Sequence, residues 1–127
     1  MSDQKSALLA IQEFFEKSLS RGGSSFKSKG SLPGNMEFSG TFEVMQGKQK
    51  VDGHYFASIV PKPKDIRFYY FPIYTHVSEF GELSPEMKKC LKGKSCFHVK
   101  KLTPELEVEF IDLIDHGIKL YKRDGLI

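Results

Sequence analysis

Two similar helix-start signals bracket one short segment and limit what this part of the chain can form. Ser84-Pro85-Glu86 and Thr103-Pro104-Glu105 each place a capping hydroxyl before a proline at the first helical position and a carboxylate in the first turn. Gly93 can take a left-handed backbone, so it predicts a turn after the first of these helices. The residues from Gly93 to Lys101 are therefore predicted to form a strand between two helices.

Two longer segments carry apolar residues at helical spacing. In the first, residues 3–19, the apolar stripe consists of Leu8, Ile11, Phe15 and Leu19. In the second, residues 103–122, it consists of Leu106, Phe110, Leu113, Ile114, Gly117 and Tyr121. A glycine inside a helix costs about 1 kcal/mol relative to alanine. Gly117 therefore predicts a close approach between the last helix and the sheet.

Between the two helices the apolar pattern changes to a period of two, which is typical of half-buried strands. We expect strands over residues 36–44, with Phe42 and Val44 facing inward, over 51–60, with a bulge at Gly53, and over the aromatic segment 66–74. Residues 20–35 are rich in glycine, serine and basic side chains, which predicts a flexible loop.

These elements predict a single α+β domain over residues 1–127. The order helix, three strands, short helix, strand, long helix favours a two-layer sandwich. Its antiparallel sheet would have about four to five strands, with the N- and C-terminal helices packed on one face.

Charge, cysteine content and hydropathy narrow the cellular setting. The chain has a net charge of +3 and two cysteines, too few for a disulfide framework. No apolar run is long enough for a membrane span, and residues 1–5 carry no signal-peptide or lipidation pattern. We expect a cytoplasmic protein with no membrane partner.

The segment from Lys88 to Lys101 contains six lysines and no carboxylate. If Phe97 and Val99 face the core, the strand period places four residues together on the opposite face: Lys94, Cys96, His98 and Lys100. Positive neighbours favour a thiolate or a bound anion, so this face is a candidate site for a small anion or an acidic protein. The alternatives are a sheet surface kept soluble by lysines, and the opposite register, which would bury Cys96.

The last helix carries a second candidate site. A narrow stripe along it consists of Glu105, Glu109, Asp112 and His116. Carboxylates and an imidazole on one face can hold iron or another divalent metal, although no cofactor is required by the sequence. The alternative is a solvent-exposed face with its acids near the positive helix end.

The run Gly93-Lys94-Ser95-Cys96-Phe97 resembles the YdhG-like family of small bacterial domains of unknown function. The aromatic segment from Phe68 to Tyr74, Leu83-Ser84-Pro85-Glu86 and the C-terminal helix belong to the same similarity, which covers roughly residues 36–125. The resemblance implies an α+β sandwich. It also implies an undetermined role, for which iron handling is the best-known proposal, since some members are described as frataxin-like iron chaperones.

The residues themselves favour a non-enzymatic binding or accessory module for an acidic partner or small anion, because no catalytic constellation can be assigned. A frataxin-like metal chaperone that uses the acidic stripe is one alternative. A nucleic-acid-binding module that stacks bases on Tyr69 and Phe71 is another, less favoured one, since the order of elements differs from that of RNA-binding sheets. A homodimer through the sheet face also stays open.

Overall fold

A computed structural model describes residues 2–127, without the side chains of residues 2 and 3. The prediction about the extreme N-terminus includes Met1 and lies partly outside these residues. The helices are α1 (Ser2–Leu19), α2 (Pro72–Thr75), α3 (Pro85–Cys90) and α4 (Pro104–Arg123). The strands are β1 (Phe26–Gly30), β2 (Met36–Gly40), β3 (Glu43–Gln46), β4 (Gln49–Asp52), β5 (Tyr55–Pro61), β6 (Ile66–Tyr70), β7 (Leu91–Lys92) and β8 (Cys96–Val99).

Six of the strands form one sheet in the order β1-β2-β5-β6-β8-β7, and every neighbouring pair is antiparallel. The strands β3 and β4 form a separate two-stranded hairpin. The long helices α1 and α4 lie on one face of the large sheet. The predicted α+β class is confirmed, with six strands in the main sheet where about four to five were expected.

Aromatic side chains join the two layers. Phe15 of α1 stacks on Phe68 of β6, with ring centroids 4.2 Å apart. Phe110 of α4 meets both rings edge-on, at 5.0 Å and 5.9 Å. Such arrangements are favourable beyond the area that they bury. The predicted apolar stripes of both helices therefore meet on the same strand.

The predicted close approach at Gly117 is present. A methyl group at this position would lie 1.9 Å from the hydroxyl of Tyr70, which is fully buried on β6. The same hydroxyl donates to the carbonyl of Leu113, 2.6 Å away. The helix thus comes close enough to the sheet to satisfy a buried phenol with its own backbone, because Gly117 has no side chain.

The segment predicted as a flexible loop, residues 20–35, contains ordered elements. A 3₁₀ segment covers Ser20–Ser25, and residues 26–30 form the edge strand β1 on β2. Phe26 anchors this strand, since its ring packs against Phe38 and Phe56 with centroids 6.4 Å and 4.5 Å away. Residues 26–30 thus form a strand where the composition predicts a loop, because an edge strand needs only backbone pairing and one apolar anchor, which composition alone does not reveal.

The two predicted strands 36–44 and 51–60 are each broken in two. A methyl group at Gly40 would lie 2.7 Å from the carbonyl of Leu126, and Gly53 has φ +118°, which favours glycine. At these two points the chain leaves the main sheet and forms the β3–β4 hairpin. Phe42, predicted to face inward, is 50% exposed as a result.

The third predicted strand, 66–74, ends at Tyr70, where Pro72 begins the short helix α2. The face of the sheet opposite α1 and α4 is open in the part of the chain described. Its side chains are exposed or half-buried, as seen at Glu37, Ser39, Ser58, Val60, Arg67, Tyr69, Cys96 and His98. In residues 2–127, no helix combines the length and the apolar character that crossing a bilayer requires.

Candidate functional site: a basic groove at the sheet edge

The lysine-rich segment forms the end of the sheet. Leu91–Lys92 pairs with β8 as the edge strand β7, and Gly93 turns the chain between them with φ +76°. Upstream, the Ser84 hydroxyl accepts from the backbone of Met87 and so begins α3 as predicted. The segment therefore connects a capped helix to a two-strand hairpin, and its lysines project around that junction.

In β8, Phe97 and Val99 face the core, which is the orientation that the predicted site on the opposite face requires. Phe97 and Val99 are fully buried, while Cys96 and His98 are half-buried on the open face. Lys100 is exposed one residue beyond the strand. The opposite register, which would bury Cys96, is therefore wrong.

A groove of about 450 Å³ lies between α3, β7, β8 and the first turn of α4. We call it the basic groove. It is lined by Asp65, Glu86, Lys89, Cys90, Lys92, His98, Lys100, Lys101 and Leu106. Of the four predicted site residues, it contains His98 and Lys100 but not Lys94 or Cys96.

The four lysines of the groove carry unneutralised charge. Within residues 4–127, lysine salt bridges are made by Lys27, Lys50 and Lys88, and none involves the lysines of the groove. The groove's two carboxylates are outnumbered by its four lysines, and each is bound to another residue. Asp65 lies 3.0 Å from the guanidinium of Arg67, and Glu86 accepts from the hydroxyl of Thr103 at 3.1 Å. The groove is therefore a local excess of positive charge.

His98 contributes little to that charge near neutral pH. Burial and the charge of Arg67 lower the pKa of His98, and the nearby Asp65 opposes this shift. The Nδ1 atom of His98 lies 3.9 Å from the Asp65 carboxylate. The imidazole is thus neutral in most molecules at neutral pH and serves as a polar wall beside the lysines.

Both thiols have a raised pKa in this setting. Burial raises the pKa of Cys96, against the opposing effects of a hydrogen bond with Tyr69 and the charge of Arg67. Burial also raises the pKa of Cys90, which lines the groove. The structure therefore gives no support to the predicted thiolate at Cys96. Cys90 was missed as a groove residue, and its place within the lysine run was the signal that could have found it.

Lys94 lies on the other side of the β7–β8 turn. Its Nζ atom is 5.6 Å from the centre of the Tyr74 ring, within the range of a cation–π interaction. It lines an apolar cleft that also contains Ile73 and Leu91. The two-residue period predicted a shared face, but the turn at Gly93 separates Lys94 from the strand.

The acidic stripe of α4 is not assembled into a metal site. Both oxygens of Glu109 accept from Ser84, at 3.0 Å from its backbone nitrogen and 2.6 Å from its hydroxyl. The Nε2 atom of His116 donates to the carbonyl of Glu79 at 2.8 Å. Glu105 and Asp112 are exposed. Among the residues whose side chains are described, no group of three or more His, Cys, Asp or Glu side chains is placed to hold a metal ion.

Thr75, His76 and Asp124 form a hydrogen-bonded chain that the sequence did not indicate. The Thr75 hydroxyl is 2.7 Å from Nδ1 of His76, and Nε2 of His76 is 2.6 Å from the Asp124 carboxylate. Arg123 binds the same carboxylate and also reaches Glu79 at 2.8 Å. The order of groups is that of a hydrolytic triad, but here it connects α2 to the end of α4, and we interpret it as a structural tie.

The predicted stacking residues are separated as well. Tyr69 lies on the open face, opposite Cys96 of β8. Phe71 lies beyond the end of β6 and packs against Tyr55 and Tyr74, with centroids 5.4 Å and 5.7 Å away. The two rings do not form a continuous stacking platform.

The chain matches no protein-family model, no curated protein and no solved structure. The resemblance to the YdhG-like domains stays a prediction from the residues.

Proposed function

We propose that this chain is a non-enzymatic binding module that holds an acidic partner or a small anion in the basic groove. The observation that carries the proposal is the convergence of four lysines without a carboxylate partner in residues 4–127: Lys89, Lys92, Lys100 and Lys101. Several lysines that line one groove produce a summed positive potential, which attracts an anion.

The chemistry of the groove favours an acidic protein segment or an oxyanion. Lysine ammonium groups are flexible point charges that do not require the planar, bidentate geometry that arginine recognises. The groove is open to solvent, so each contact contributes modestly and is screened by salt. Recognition would therefore follow the density of negative charge on the partner.

The other two functions have less support. A metal chaperone would need the acidic stripe, but Glu109 is bound to Ser84 and His116 to the Glu79 carbonyl. A nucleic acid could use the same lysines through its phosphates. The protein would offer its bases no stacking platform, because Tyr69 and Phe71 lie apart. We keep it as one arm of the test.

The test compares two variants with the same change in net charge. Lys92→Gln/Lys100→Gln removes two lysines of the groove, and Lys5→Gln/Lys48→Gln removes two exposed lysines elsewhere. The probes are an oligoglutamate peptide, inorganic pyrophosphate and oligothymidylate, titrated by calorimetry and by amide NMR at two salt concentrations.

We expect at least one probe to bind with shifts at the Lys92 and Lys100 amides. The groove variant should lose about tenfold in affinity, as two partly screened ion pairs predict, and the control variant less than about twofold. The preferred probe identifies the partner class. Equal losses in the two variants, or no binding of any probe at low salt, would refute the proposal.

A further inference from the structure

A second depression lies on the other side of the β7–β8 turn and has a different character. This apolar cleft has a volume of about 490 Å³, within the usual range for small-molecule sites. Six of its lining side chains are apolar or aromatic: Ile73, Tyr74, Val77, Phe80, Leu83 and Leu91. Lys94 is the one charged residue in the lining.

The cleft leaves apolar surface in contact with water. Val77 is 68% exposed and Tyr74 is 49% exposed, although both are large apolar or aromatic side chains. Two glycines, Gly81 and Gly93, complete the wall, and a Cβ atom added at either would meet nothing within 4 Å. No side chain therefore obstructs the wall of the cleft at these glycines, and covering the apolar surface of the cleft would release water from it.

The charge at the rim determines which ligand is complementary. Lys94 makes no salt bridge with the carboxylates of residues 4–127, and its ammonium lies above the Tyr74 ring. One cation beside an apolar cleft matches a molecule with one anionic group and an apolar body. A protein interface would need about 800 Å² from each partner, which two exposed apolar side chains do not supply.

We propose that the apolar cleft binds a small amphiphilic carboxylate, with its hydrocarbon body between Val77 and Leu91 and its carboxylate on Lys94. The cleft does not share its lining residues with the basic groove, since Leu91, Gly93 and Lys94 face one depression, and Cys90 and Lys92 face the other. The proposal therefore stands independently of the function proposed above.

Octanoate is the probe, titrated into the full chain and followed by NMR at the Val77 methyl groups and the Gly81 amide. We expect saturable shifts at these positions. Affinity should fall about fourfold for each methylene removed, on going to hexanoate and butyrate, because each methylene buried contributes about that factor. Octanol, which has the same tail without the charge, should bind about tenfold more weakly.

Two variants locate the ligand. Lys94→Met keeps an unbranched apolar side chain but removes the charge, so it should bring octanoate down to the affinity of octanol, whereas Lys62→Met should not. Gly81→Leu adds a bulky side chain to the cleft wall and should weaken octanoate binding, with its thermal unfolding checked against the parent. The chain-length series on the parent protein needs no variant and tests the cleft even if Gly81→Leu unfolds.

Several results would overturn the proposal. They are a lack of saturation, equal binding of octanoate and octylammonium, and binding that is unchanged in Lys94→Met. Cleft shifts that appear on raising the protein concentration alone would assign the cleft to a second copy of the chain. Loss of octanoate binding in Lys92→Gln/Lys100→Gln, with the Val77 signals unmoved, would place the ligand in the basic groove.

Discussion

The contact between Gly117 of α4 and Tyr70 of β6 predicts an unusual response to substitution. In most helices Gly→Ala is stabilising by about 1 kcal/mol, since alanine has the higher helix propensity. At Gly117 the added methyl group would lie 1.9 Å from the Tyr70 hydroxyl, 2.9 Å from its Cζ atom and 3.2 Å from Pro72. Neither neighbour can move freely, because both are buried.

Three contributions set the size of the effect. Overpacking a buried contact costs about 1 to 3 kcal/mol. Displacing the Tyr70 hydroxyl from the Leu113 carbonyl leaves a buried polar group unpaired, at about 1 to 3 kcal/mol more. The gain in propensity offsets about 1 kcal/mol. Gly117→Ala should therefore lower the free energy of unfolding by about 1 to 5 kcal/mol, which at the midpoint of this range is a Tm decrease of about 10 °C.

The predicted clash is tested by urea denaturation of the parent, Gly117→Ala, Tyr70→Phe and the double variant, with Gly81→Ala as a fifth protein. In the Tyr70→Phe background the oxygen is absent, so Gly117→Ala should cost at least about 1 kcal/mol less than in the parent. Gly81→Ala is a control for adding a methyl group without a clash, because a Cβ atom there meets nothing within 4 Å, and it should not lower stability by more than about 0.5 kcal/mol. A stabilising effect of Gly117→Ala, or the same cost in both backgrounds, would refute the predicted clash.

Three further predictions concern the Ser84 cap, the buried His54 and the two cysteines. Ser84→Ala removes the cap of α3 and the partner of Glu109, so it should lower the free energy of unfolding by about 1 to 2 kcal/mol; an unchanged urea midpoint would contradict this. Burial lowers the pKa of His54 from 6.5, so the unfolded chain binds the extra proton and stability should fall as the pH drops below about 6.5. His54→Gln should flatten that part of the pH profile, and an unaltered slope would exclude His54 as its source. Burial raises the pKa of Cys90 and Cys96, so iodoacetamide should alkylate both more slowly than glutathione at neutral pH; a faster rate at either thiol, read by mass spectrometry, would contradict the burial argument.

Capping and residue periodicity, which act over a few residues, predicted the helices and the buried face of the last strand. Ser84 and Thr103 cap their helices through their own hydroxyl groups, as their place before a proline predicts. The period of two correctly oriented Phe97 and Val99 toward the core. Gly117 indicated a close contact because its cost in helix propensity required a compensating reason. The sequence signal for each of these features lies within about one helical turn or one strand, even where the contact itself, as at Gly117, involves a distant residue.

The candidate sites depended on contacts between distant parts of the chain. The stripe on α4 is regular in sequence, yet Ser84 engages both oxygens of Glu109 with hydrogen bonds that the sequence does not indicate. Lys94 belongs with the β8 residues by period, but the Gly93 turn carries it to Tyr74. Cys90 joins His98 in one groove only because β7 pairs with β8.

The sequence by itself thus determined the layers of this protein, because periodicity and capping act over a few residues and are written in the chain. Only the tertiary structure decided which charges remain unpaired and which apolar side chains remain uncovered. Those properties depend on what the rest of the fold places beside each group. Both proposed sites, the basic groove and the apolar cleft, are defined by such groups.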